Sequence, residues 1–139
     1  DAWFAGIAEM LYGLKNQGVQ LAVATGKSRR GLDRVLAQTN SHDLFEITRA
    51  ASETKSKPDP LMLAEILAFT GVKAEQAIMV GDTSYDLEMA QNIAMPRVGV
   101  SYGVHTPETL AQFNPIAIAA DVKSLHQLLL NQVNLKQAV

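Results

Sequence analysis

A chain of 139 residues with 47% hydrophobic content fits one domain, large enough to bury a core and too small for two. It contains no cysteine, which excludes disulfides, thiolate zinc sites and cysteine nucleophiles and fits a reducing cytoplasm, the compartment expected here. A formal net charge of -2 gives no basic footprint for nucleic acid, and no apolar run approaches the roughly 20 residues of a membrane span, so neither is an expected partner.

The first residues, Asp1-Ala2-Trp3-Phe4, lack a charged leader followed by an apolar stretch and do not read as a signal peptide. There is no initiator methionine, and residues upstream are expected. Phe4, Ile7, Ala8, Leu11 and Leu14 recur at helical spacing, with Gly18 where that helix stops; Trp3 and Phe4 are expected to pack against the core or a domain junction. Gln20 to Thr25 reads as the first strand. A helix from about Ser28 to Gln38 is expected to turn Leu32, Val35 and Leu36 inward and Arg29, Arg30 and Arg34 outward. A short strand around Phe45-Glu46-Ile47 leads to a polar loop, residues 52–58. Asp59-Pro60 then reads as an N-cap and first-turn proline, opening a helix with Leu63, Ile66 and Leu67 that ends at Gly71. Strands follow at Ala77 to Val80, Pro96 to Val100 and, more weakly, Ile116 to Ala119. A helix through Ala94 separates the first two of these, and a final helix aligns Val122, Leu125 and Leu129. About five helices alternating with five strands predict an α/β fold in one domain, residues 1–139: Rossmann-like, doubly wound, three layers about a mostly parallel sheet.

The stretch Gly81-Asp82-Thr83-Ser84-Tyr85-Asp86 puts two carboxylates where a strand hands over to a helix. Residues four apart share a helix face, so Asp82 and Asp86 are expected to point at one site, and oxygen-only ligands suit Mg²⁺. The same segment also reads as an acidic cap and first turn that complement the helix dipole and bind nothing. Thr25 ends the first strand. Its hydroxyl can donate to a phosphoryl oxygen, Gly26 behind it allows close backbone approach, and amides at a helix start attract anions; alone, it is a strand-end or capping threonine. Lys57 precedes Pro58 on a locally stiffened loop, where its ammonium can neutralise a phosphoryl group as a point charge; alone, it is a solvated loop lysine. Brought to one sheet edge, these parts would act by positioning and charge stabilisation around a bridging metal.

Strand then Thr25, a Lys57-Pro58 loop, then strand and Gly81-Asp82-x-x-x-Asp86 is an order that resembles the haloacid dehalogenase-like hydrolase superfamily, over nearly the whole chain. Leu21-Ala22-Val23-Ala24-Thr25-Gly26 looks like that family's second motif, Ser56-Lys57-Pro58-Asp59-Pro60 like its third, and Val80 to Asp86 like its fourth. Val98-Gly99-Val100-Ser101-Tyr102-Gly103 resembles the segment that follows in phosphoglycolate-phosphatase-like members. The resemblance implies that Thr25 binds the phosphoryl group, Lys57 steadies nucleophile and phosphoryl charge, Asp82 ligates Mg²⁺ and Asp86 supports the metal shell. It implies Mg²⁺-dependent hydrolysis of a small phosphorylated metabolite through an aspartyl-phosphate intermediate, with specificity residing largely in a cap. The family's opening strand, which carries two aspartates spaced by one residue, has no match here: Asp1 has no aspartate two positions on and no apolar strand before it. On this resemblance the nucleophile strand and the cap are expected to be missing, the chain alone does not turn over, and an exposed sheet edge invites self-association.

A catalytically inactive phosphate- and metal-binding or regulatory module is the alternative. A phospho-acceptor receiver domain would place its acidic residues before the threonine and lysine, the reverse of the order here, and no G-x-G-x-x-G opens a helix after a strand. His42, His105 and His126 are too widely separated for metal-ligand spacing, although His105 falls on a loop at the edge where substrates reach. Lys27, Arg29, Arg30 and Arg34 form a basic cluster beside Thr25, either a solvated face or an attractor of anionic substrate.

Overall fold

Short apolar runs form strands of three or four residues, and longer runs form the helices between them. The computed structural model describes residues 2–137, with side chains over residues 6–133; Asp1 and the side chains of Trp3 and Phe4 lie outside the described residues. In chain order the elements are α1 (Ala2–Asn16), β1 (Ala22–Thr25), α2 (Arg29–Thr39), β2 (Ile47–Ala50), α3 (Leu61–Thr70), β3 (Met79–Gly81), α4 (Ser84–Gln91), β4 (Arg97–Val100), α5 (Pro107–Ala111), β5 (Ala117–Ala119) and α6 (Val122–Gln137). Among the described residues no helix is long and apolar enough to cross a membrane.

Among the described residues every strand pairing is parallel, as alternation of strands and helices requires. β1 pairs with β2, Thr25 opposite Ala50, while β4 lies between β3 and β5 with Gly81 opposite Gly99. The expected single sheet is therefore divided in two. Both parts nevertheless lie between the same two helical layers. Met10 and Leu14 of α1 with Leu125 and Leu129 of α6 pack on Val98, Val100 and Ala119, and Leu21 and Ile78 join them. On the opposite face Met62, Leu63 and Ile66 of α3 and Met89 and Ala90 of α4 pack with Ile47, and Ala24 and Met79 join that cluster. The alternation of strand side chains thus feeds a core on each side, giving three layers.

Several boundaries differ from those read in the sequence. β1 starts at Ala22 rather than Gln20, and β2 lies at Ile47–Ala50 rather than around Phe45–Ile47. Pro60 is the N-cap of α3 rather than its first residue, while Asp59 still serves it, its Oδ1 accepting from Leu61 N at 2.9 Å. α4 ends at Gln91, and Ala94 turns left-handed at φ 55. Val35 is 37% exposed, because Leu32 and Leu36, four apart, take the buried line of α2. α5, a sixth α-helix among the described residues, spans five residues, too few to display a period; its signals are Thr106, whose Oγ1 accepts from Thr109 N at 3.3 Å, and Pro107 behind it.

Arg29 is not a free basic residue. It forms an ion pair with Glu53 and donates to Thr48 Oγ1 at 2.8 Å and Thr48 O at 3.0 Å, tying the start of α2 to β2. The Arg29 hydrogen bond, and then the Ala50 N–H, hold the Glu53 carboxyl below the usual carboxylate range. A carboxylate so depressed adds stability that is complete above its unfolded pKa and lost as pH falls through the lower folded value. Glu53→Gln should therefore destabilise the chain at pH 7, and the gap to wild type should close as pH falls below about 4, the onset of carboxyl protonation; urea denaturation across that range measures it.

Candidate active site

Lys57, the short turn before it and the start of α4 meet at the carboxyl ends of the strands, the edge where open α/β sheets gather ligands. The loop carrying Lys57 is tied down on either side: Asp59 N donates to Ser56 O at 3.1 Å, and Asn92 Nδ2 donates to Pro58 O at 3.3 Å. Lys57 Nζ donates to Asp86 Oδ1 in an ion pair whose side chains are 17% and 6% exposed.

Asp86 is fixed from its own side as well. Thr83 is the N-cap of α4; its Oγ1 accepts from Asp86 N at 3.2 Å, while Asp86 Oδ2 accepts from Thr83 Oγ1 at 3.0 Å and from Thr83 N at 3.3 Å. This reciprocal box satisfies orphan donors of the first helical turn. Gly81 is required beneath it: a Cβ there would overlap Asp86 Cβ and lie 2.8 Å from Asp86 Cγ.

Because Thr83 takes the cap, Asp82 stands ahead of the helix, and the expected shared helical face of Asp82 and Asp86 does not form. The two carboxylates divide the work. Both oxygens of Asp86 are committed to Lys57 and Thr83, whereas the carboxylate of Asp82 accepts no hydrogen bond among the described residues. The loop after β4 lies against Asp82: His105 N donates to Asp82 O at 3.2 Å, and Ser84 N donates to His105 Nδ1 at 2.9 Å. Burial, and then the charges of Asp121 and Asp82, push the Tyr102 phenol up.

A cleft of about 370 Å³ opens here, lined by Gly26, Ser56, Lys57, Asp82, Tyr85 and Asp86 among others. Lys57, Asp82, Asp86 and Gly26 thus line one cleft. A Cβ on Gly26 would meet nothing within 4 Å. Thr25 stands one residue behind, at the end of β1, where its Oγ1 accepts from Lys27 N at 3.2 Å and keeps its own proton to donate. Of the basic cluster, Arg29 is consumed by Glu53 and Thr48, while Lys27, Arg30 and Arg34 are exposed.

Among the described residues no group of three or more His, Cys, Asp or Glu side chains could hold a metal by itself. The donor set fits Mg²⁺ in another way, since that ion keeps most of its waters and is commonly held by one or two carboxylates with a substrate phosphate; Asp82 is the carboxylate left for it. Thr83 was legible as the S/T-x-x-acid cap but carries no weight in the motif reading; the contacts of His105 and Gly103 with Asp82 span about twenty positions and have no local signal.

A family model described as haloacid dehalogenase-like hydrolase matches residues 2–100. A phosphoglycolate phosphatase of Psychrobacter arcticus is 33% identical over 118 residues, covering 84% of this chain and 51% of that protein. Among solved structures, a predicted phosphatase of Clostridium acetobutylicum superposes with TM-score 0.83 at 27% identity, covering 91% of this chain and 59% of that one. A predicted phosphoglycolate phosphatase of Haemophilus somnus gives TM-score 0.81 at 27% identity, covering 88% and 55%. The chain spans about half the length of the curated relatives it matches.

The buried pair generates a stability prediction. Lys57→Met leaves Asp86 charged and unpaired and should cost about 3–5 kcal/mol. Adding Asp86→Asn should recover part of that loss, and urea denaturation of the single and double variants gives the coupling.

Proposed function

The chain belongs to the haloacid dehalogenase-like hydrolase family, and on that premise we propose that it forms, as one domain over residues 1–139, the core of a Mg²⁺-dependent phosphatase for a small phosphate monoester. The observation that carries this reading is the cleft in which one paired lysine and one unpaired carboxylate face the open turn at Gly26. Thr25 donates its hydroxyl to a phosphoryl oxygen, and Gly26 lets that oxygen come close to the backbone. Lys57 has three N–H donors; one serves Asp86 and the others neutralise phosphoryl charge. Asp86 holds Lys57 in place and supports the metal side from behind, while Asp82 is the residue that holds Mg²⁺. When bound, Mg²⁺ supplies charge neutralisation and orientation of the phosphoryl oxygens.

The phosphoryl acceptor in this reading is an aspartate whose oxygen bonds phosphorus as the ester oxygen leaves; water then hydrolyses the acyl phosphate to phosphate and free carboxylate. No aspartate of this sequence matches that role by motif, so the 139 residues alone are proposed to bind phosphate and Mg²⁺ without turnover. The substrate class is a small phosphorylated metabolite, with phosphoglycolate one candidate, and the setting is the cytoplasm. A binding or regulatory role is the second reading, favoured by the single uncommitted carboxylate of the cleft. The half-buried strands β1 and β3, with Val80 37% exposed, are the edges through which we propose the chain associates with itself.

The test takes the natural protein at full length and a panel of phosphate esters with Mg²⁺. Phosphate release that requires Mg²⁺ and falls at least about 10²-fold in Lys57→Ala, the usual cost of one lost charge-stabilising donor, supports the phosphatase; release unaffected by Lys57→Ala removes Lys57 from it. In the 139-residue chain, Mg²⁺ should raise the thermal midpoint of wild type and not of Asp82→Asn, and an unchanged wild-type midpoint would contradict the role of Asp82.

A further inference from the structure

Asp82 sits on the two-residue bridge between β3 and α4, a place where a carboxylate without a hydrogen bond would sample several rotamers. Around it, however, the loop after β4 is closed down by three separate contacts. His105 N donates to the Asp82 carbonyl at 3.2 Å, and the same residue's Nδ1 accepts Ser84 N at 2.9 Å, so one histidine straddles Asp82, Thr83 and Ser84. Ser84 N belongs to the first turn of α4, one of the donors a helix cannot satisfy internally. Gly103 presses on the side chain itself: a Cβ there would overlap Asp82 Cβ and lie 2.5 Å from Oδ2 and 2.8 Å from Cγ. Tyr85 then meets the imidazole edge-on, ring centroids 6.0 Å apart at 61°.

We infer that His105 is a positioning residue for Asp82: with Gly103 it sets the direction of the one uncommitted carboxylate in the cleft before any cation arrives. The inference rests on the reading of Asp82 as the Mg²⁺ ligand. The inner side of the Asp82–Ser84 bridge is held by the Lys57–Asp86–Thr83 network, and His105 holds the outer side, so the bridge is clamped from both directions. Both hydrogen bonds fix the backbone that carries the carboxylate, and fixing it beforehand removes part of the ordering cost from the binding step.

The experiment uses the 139-residue chain with His105→Ala, His105→Asn and Gly103→Ala, read by the Asp82 side-chain couplings in NMR without metal and by Mg²⁺ titration of the Gly81 and Asp82 amide signals. In wild type the couplings should report one rotamer. In His105→Ala they should average, and Mg²⁺ should bind about tenfold more weakly, the upper end of the cost of ordering one side chain on binding. His105→Asn should restore both, since its Oδ1 occupies the place of Nδ1, whereas a merely structural loop contact would leave Mg²⁺ affinity untouched in all three. Gly103→Ala should displace the carboxylate and weaken binding with His105 still present. Wild-type couplings and affinity in His105→Ala, or failure of His105→Asn to restore them, would overturn the inference. If wild type binds no Mg²⁺, the metal reading of Asp82 falls, and the couplings alone decide whether His105 positions it.

Discussion

The ion pair between Lys57 and Asp86 is the constraint around which the site is organised. Lys57 follows the sheet of β1 and β2, whereas Asp86 lies on the helix that leaves β3, so one contact joins the two halves of the divided sheet at their carboxyl ends. Asp86 is almost wholly buried, and a buried charge persists only if paired and hydrogen-bonded. Three consequences follow. Thr83 must cap α4 and bond Asp86, Gly81 must lack a side chain, and Asp82 is left as the carboxylate free to meet a ligand.

The same logic shows why two aspartates four residues apart do different jobs. Helical spacing suggests a common face, but the capping threonine moves the helix start past Asp82 and turns Asp86 inward. A lysine with donors to spare and the turn at Gly26 line the cleft beside Asp82, with the hydroxyl of Thr25 one residue behind; in the proposed function this is the space for an oxyanion next to a hard cation. Such a site would act, in that function, by holding charges where they are useful.

Much of this was legible in the sequence. The apolar runs at Leu21–Ala24 and Ala77–Val80 read as strands of a mostly parallel sheet, and Thr25, Lys57 and Asp82 were readable as residues at strand or loop ends because strand ends and loop prolines leave local marks. Nothing in those runs distinguishes a strand paired on both sides from one paired on one, and β1 has no buried residue; the exposed edge was expected only from the resemblance, through the strand that it implies is missing. Arg29 reads as an outward base by helical position, yet Glu53, some twenty residues on, takes it. The contacts of His105 and Gly103 with Asp82 likewise depend on β4 lying beside β3, a tertiary fact with no periodic signature.

The measurement that bears most directly on the site is a crystal structure of this chain grown with magnesium and tungstate, a tetrahedral anion dense enough to place without ambiguity. The account predicts the anion between Thr25, Gly26 and Lys57, with the Lys57–Asp86 pair intact and the cation on Asp82. An anion bound elsewhere, at the exposed Lys27, Arg30 and Arg34 for instance, with the cleft holding only water, would contradict it.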